Sequence, residues 1–128
     1  MGTGSYDDIV AAVEEVNKGQ FPQRFGDISA TSEEGERLVT GPGYTAFLKI
    51  AEGCDNFCAF CIIPYLRGRY RSRPMENILA EARNLADAGV QELIVIAQDI
   101  GPYGKDLYGE KKLPELLKEL CKLPFHWV

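Results

Sequence analysis

Cys54, Cys58 and Cys61 stand at spacing C-x3-C-x2-C within "CDNFCAFC", and the chain has only one other cysteine, Cys121. Thiolates this close together suit a soft metal or a redox group. Structural metal cages mostly use four ligands, so three raise the question of what would leave one position open. A site-differentiated 4Fe–4S cluster is one answer, because three thiolates hold three corner irons and the fourth iron stays open to another ligand. A structural zinc ion is the other. Its fourth ligand would be Cys121 or His126, both sixty or more residues downstream and neither part of a paired motif. A disulfide between Cys58 and Cys61 would close a strained, tiny loop.

Four arginines follow. "YLRGRYRSRP", residues 65 to 74, holds Arg67, Arg69, Arg71 and Arg73 and no acid, whereas the other 10 basic and 19 acidic residues leave −9. In an extended chain alternate residues share a face. The four are therefore expected to form a cationic ridge for an anionic group of a cofactor or partner, against the plainer reading of a solvated loop. The overall charge of −5 gives no bulk attraction to nucleic acid.

The elements that position these residues can be read from the hydrophobic pattern. Residues 5 to 18 read as a helix with a capping box at Ser5 and Asp8 and an apolar face of Ile9, Val10, Val13 and Val16, stopped by Gly19. Residues 20 to 43 lack sustained periodicity, with one short strand expected near Arg37 to Thr40. So long a connector is unusual inside a compact domain, and it is expected to join two. "YTAFLKIAEGC" reads as a strand ending at the cysteines. "PMENILAEARNLADAG" reads as a helix, with Pro74 at its first position, Ile78, Leu79, Ala82, Leu85 and Ala86 inward, and Gly89 as its stop.

"ELIVIAQD" is a continuous apolar run suited to a parallel strand covered on both faces. "LPELLKELCKL" gives a second helix, with Leu113, Leu116, Leu117, Leu120 and Cys121 on one stripe, and "FHWV" begins a third strand. This β/α alternation predicts an α/β fold with a parallel sheet. Chemistry in such sheets gathers at the carboxyl ends of the strands, so the cysteine loop should share a rim with Gln98, Asp99 and "AQDIGPYGKDLYG".

The bulk numbers agree with a globular chain. Of 128 residues, 45 % are apolar and 26 % charged, which is ordinary for a folded domain. No apolar run approaches the roughly 20 residues that span a bilayer, and "MGTGSYDDIV" lacks the pattern of a secretory signal. A cytoplasmic chain with reduced thiols is the expectation.

The cysteine spacing, the aromatic Phe60 before the last cysteine and the position after the first strand resemble the radical S-adenosylmethionine superfamily. "IAEGCDNFCAFCIIPYLRGRYRSRP", residues 50 to 74, resembles the methylthiotransferases over its whole length. "AQDIGPYGKDLYG", residues 97 to 109, is similar to the RimO branch, and "GTGSYDDIVAAVEEV" to the end of that family's N-terminal domain.

The resemblance implies a partial radical S-adenosylmethionine (β/α) barrel. Residues 1–19 would be the last helix of an N-terminal domain, 20–43 a linker and 44–128 the first part of the core. It implies a 4Fe–4S cluster on Cys54, Cys58 and Cys61, S-adenosylmethionine on the open iron, and a second 4Fe–4S cluster in the N-terminal domain. The implied substrate is an aspartate of small-subunit ribosomal protein twelve, with a flavodoxin or similar electron donor. Transfer RNA is the alternative substrate, and a non-catalytic iron–sulfur or zinc module the alternative class. A piece this short is not expected to be active alone.

Further site readings stay open. Phe60 is either core or a platform near the adenine, and Gln98 and Asp99 are either strand-end polar residues or cofactor contacts. Tyr103, in a Gly-rich turn, is expected to touch substrate. Cys121 reads as a small core residue and His126 as strand packing. No acid–base pair or phosphate loop stands out.

Overall fold

The computed structural model describes residues 1–29, 37–41 and 43–128. Two parallel strands make its centre. β1 (Thr45–Lys49) pairs with β4 (Glu92–Ile96) in the register Thr45↔Glu92 to Lys49↔Ile96. Alternation sends Ala46, Leu48 and Leu93 into the core while Phe47 and Ile96 face outward. The covering of both faces expected for β4 is therefore not present among the described residues: helices cover one.

α3 (Met75–Asp87) makes the crossover between the strands and packs on β1 and on α5 (Leu113–Leu120). Ile78, Ala82 and Leu85 of α3 and Leu116 and Leu120 of α5 close on Leu48, Ile50 and Leu93. Leu79 packs at the edge of this core. Pro74 is the residue just before the helix rather than its first, with ψ 137. Gly89, at φ 87, ends it as expected.

The first strand is not continuous. Ile50 donates its N–H to Ile96 O at 3.0 Å and accepts from Arg73 N at 2.9 Å, so it faces two different partners. Beyond it, β2 (Ala51–Glu52) leaves β4 and pairs antiparallel with β3 (Arg71–Ser72). This short pair carries the chain to the cysteines and back. α2 (Ile63–Arg67) lies between, and α4 (Lys105–Tyr108) occupies the stretch read as a turn. The third strand is present only as a parallel bridge from Trp127 to Glu92.

At the N-terminus, a 3-10 turn (Tyr6–Asp8) precedes α1 (Ile9–Asn17). The expected capping box does not form, because Ser5 Oγ accepts from Gly26 N at 2.6 Å instead of capping the helix. Only Ala12 of α1 is buried, and Ile9, Val10, Val13 and Val16 are exposed. No strand forms over residues 37 to 40, and residues 30–36 and 42 of the expected linker lie outside the described residues. Arg37 is held sideways by Glu81 at 3.0 Å and by Phe47 O.

Candidate metal centre

The cysteine loop begins at Gly53, whose φ is 77 and where an added Cβ would stand 2.1 Å from Arg69 O. Only glycine permits both the left-handed turn and that approach. Cys54 follows, buried, with its N–H on Gly68 O at 3.3 Å. Phe57 then adopts φ 46, the one non-glycine residue with positive φ among those described. Such a conformation is rare for a bulky side chain, and it turns the chain between the first two cysteines. A tight turn closes the loop, with Cys61 N donating to Cys58 O at 2.9 Å. Cys58 is exposed and Cys61 half-buried.

The β4 rim meets this loop directly. Asn56 Nδ2 donates to Asp99 Oδ2 at 2.8 Å, and Asp99 Oδ1 accepts from Gly101 N at 2.9 Å. The rim shared by loop and strand end is thus present, although β4 stops at Ile96, before Gln98 and Asp99. Gln98 Oε1 is buried with no hydrogen-bond partner among the described residues.

A cavity of about 560 Å³ opens between loop and rim, lined by Asp55, Asn56, Tyr70, Asp99, Lys105 and Asp106 among others. Tyr70 is only 8 % exposed, and its hydroxyl has no partner at hydrogen-bond distance among the described residues. Burial, with the charges of Asp106, Asp99 and Cys54, pushes it up to about 12, against a partial offset from the nearby Ser72 hydroxyl. That hydroxyl is committed elsewhere: Ser72 Oγ donates to Asp106 Oδ1 at 2.6 Å and accepts from Gly104 N at 2.9 Å.

The other expected site residues divide. Phe60 is 96 % exposed, which removes its core reading. The cationic ridge does not form, because the segment is not uniformly extended and each guanidinium is engaged locally. Arg67 ends α2, lies 3.5 Å from Glu52 and covers Tyr6 at 5.8 Å. Burial alone would raise the Glu52 carboxyl, but the Lys49 hydrogen bond, the charges of Lys49 and Arg67, and the Gly53 N–H hold it below the usual range.

Arg69 covers Phe57 at 5.0 Å and reaches Asp55 at 3.4 Å. Arg71 folds back onto the carbonyls of Arg69 and Arg67, and Arg73 pairs with Glu81 at 2.8 Å. Tyr103 is a correction too: it is wholly buried in the core, and its hydroxyl donates to Arg73 O at 3.0 Å. Burial first, then Tyr108 and Glu76, raise its ionisation well above the usual tyrosine value. Cys121, expected in the core, is exposed because it falls just past the end of α5. His126 is exposed, with its backbone N–H on Gln91 O at 2.8 Å.

Asn56, Tyr70, Ser72 and Asp106 were not singled out by spacing. No repeat or motif in the sequence marks them.

The two metals ask different things of their donors. Zinc needs four donors round one point at about 2.0–2.3 Å, and among the described residues no three of His, Cys, Asp and Glu are so gathered. A 4Fe–4S cube takes one thiolate at each of three separate corners, which three free thiols on one eight-residue loop can provide. By number, type and spacing the three thiols fit such a cluster, while no three ligands are gathered round any metal among the described residues.

Comparison with known proteins agrees. The pattern of the radical SAM superfamily matches residues 48–127. The chain is 54 % identical over 124 residues to a ribosomal protein uS12 methylthiotransferase RimO of Caldanaerobacter subterraneus subsp. tengcongensis, covering 96 % of this chain and 28 % of that protein. It is 52 % identical over the same shares to the protein of that name in Thermoanaerobacter sp.. The corresponding protein of Lachnoclostridium phytofermentans is 49 % identical over 130 residues, 100 % of this chain and 30 % of its own length. The chain thus spans under a third of the relatives it matches.

Proposed function

This chain belongs to the radical SAM superfamily, and we propose that it is the cluster-bearing part of a methylthiotransferase acting on ribosomal protein uS12. In this reading the whole enzyme replaces a C–H bond with C–S–CH3 at the β-carbon of an aspartate. One observation carries it: a three-thiol loop at the carboxyl end of a parallel pair, in a chain whose relatives with that printed activity match 96 % or more of it.

Cys54, Cys58 and Cys61 would hold the 4Fe–4S cluster as thiolates. Such a cluster would, when bound, supply one electron for the reductive cleavage of S-adenosylmethionine. The remaining work falls to the chain. Phe60 offers an exposed ring for an adenine to stack on. Gln98 Oε1 is a buried acceptor awaiting an N–H or O–H donor. Asp99 shapes the rim from its bond to Asn56, and both line the cavity beside the loop. Arg69, largely exposed, can reach an anionic group.

The reading brings further parts with it. Residues 1–19 would close an N-terminal domain that carries a second 4Fe–4S cluster, 20–43 would link it, and 44–128 would begin the core. A flavodoxin-like protein would supply electrons in the cytoplasm. No helix among the described residues is long and apolar enough to cross a membrane.

Mass spectrometry of uS12 and of transfer RNA, from a deletion strain complemented with the full-length gene or its Cys54→Ser form, tests the reading. The methylthio mass should return to uS12 with the first and not with the second. Its return to transfer RNA instead would overturn the substrate, and its return with both forms would overturn the role of the loop.

A further inference from the structure

We infer that Asn56 and Asp99 form a latch that positions the cysteine loop against the β4 rim; the inference rests on the proposed role of that loop. Three features support it. The loop is fastened at its start, where Cys54 N meets Gly68 O and Asp55 Oδ1 accepts from Tyr70 N at 3.2 Å. Those bonds tie it to the β3 side alone. Among the described residues, Asn56 Nδ2 to Asp99 Oδ2 at 2.8 Å is the one hydrogen bond from the loop to the β4 rim.

The acceptor is itself fixed. Asp99 Oδ1 is occupied by Gly101 N, which leaves Oδ2 aimed at the loop. A carboxylate acceptor makes the bond charge-assisted and shorter than a neutral pair. Finally, both residues line the cavity, so the latch also closes one of its walls. Cys58 and Cys61 follow Asn56 through the Phe57 turn and are exposed or half-exposed. Packing holds them less than it holds buried Cys54, so the latch limits where their thiols can stand.

The polarity of the latch gives a decisive test. In N56D two carboxylates face each other. In the double variant N56D/D99N, the new amide at position 99 donates to the new carboxylate at 56, and its oxygen still accepts from Gly101 N. Amide exchange on the metal-free full-length protein reads the loop without any cluster. The Cys61 amide, which donates to Cys58 O, should exchange about fivefold faster in Asn56→Ala and N56D, as for loss of one hydrogen bond, while the amides of α3 do not change. The double variant should return to wild-type rates.

Iron loss to a chelator from reconstituted protein should follow the same order. A Cys61 amide in N56D that exchanges at the wild-type rate would overturn the latch, as would a double variant no slower than the single. A wild-type protein that takes up no cluster would overturn the proposed function instead, and the exchange order would still decide the latch.

Discussion

At the scale of single residues, two buried tyrosines make opposite predictions. Tyr103 donates its hydroxyl to Arg73 O, so Tyr103→Phe leaves a carbonyl without that donor and should cost about 1 kcal/mol. Tyr70 has a buried hydroxyl with no partner among the described residues, so Tyr70→Phe should leave stability unchanged or raise it by up to about 1 kcal/mol. Urea denaturation of both variants checks the contrast, and equal losses would contradict it. The pH dependence has a definite sign. Tyr70 ionises at about 12 in the fold against 10.0 ordinarily, so the folded state holds the proton more tightly. Below pH 10.0 ionisation leaves stability untouched, and as the pH rises from there through about 12 stability falls because the unfolded chain gives up this proton first. Tyr70→Phe should therefore flatten the loss of stability across that window, and an unaltered slope would show that the hydroxyl is not buried. Neither role was legible in the sequence. "YGKDLYG" reads as a turn for want of periodicity, and a tyrosine among four arginines is masked by their charge.

At the scale of elements, β3 is fastened to α4 by one carboxylate. Asp106 accepts from Ser72 N at 2.7 Å and from Ser72 Oγ at 2.6 Å. Hydrogen bonds to a charged group contribute more than neutral ones, so Asp106→Ala should cost about 3 kcal/mol, read as a lower denaturation midpoint. A shift under about 0.5 kcal/mol, ordinary for a surface change, would mean the clamp is solvated. Gly53→Ala drives a Cβ into the Arg69 carbonyl at a positive φ. It should displace the cysteine loop and lower the iron bound per chain, whereas an unchanged iron content would contradict the close approach. The long elements were legible because their apolar repeats span enough residues: Ile78, Ala82 and Leu85 in α3, Leu116 and Leu120 in α5. The β2–β3 pair was not, since two residues per strand carry no period. Nor could the Ser5 capping box be rejected from sequence, because its competitor, Gly26 N, lies 21 residues away.

At the scale of the whole molecule, apolar surface is left uncovered. Ile9, Val10, Val13 and Val16 of α1 and Phe47 and Ile96 of the sheet are all exposed. The 128-residue chain alone is expected to bind a hydrophobic dye more strongly, per unit mass, than the full-length protein, which fluorescence titration can measure. Equal binding would mean those faces stay open in the longer protein. The parallel order of the fold was legible from its β/α alternation, and so was the rim that unites the loop with Asp99. The central claim is that three thiolates hold a cluster with one iron open. Electron paramagnetic resonance of the reduced, anaerobically reconstituted full-length protein tests it most directly. The loop cluster's signal should change when S-adenosylmethionine is added and should be missing in Cys54→Ser. A signal that ignores S-adenosylmethionine, or a site filled by zinc, would contradict the account.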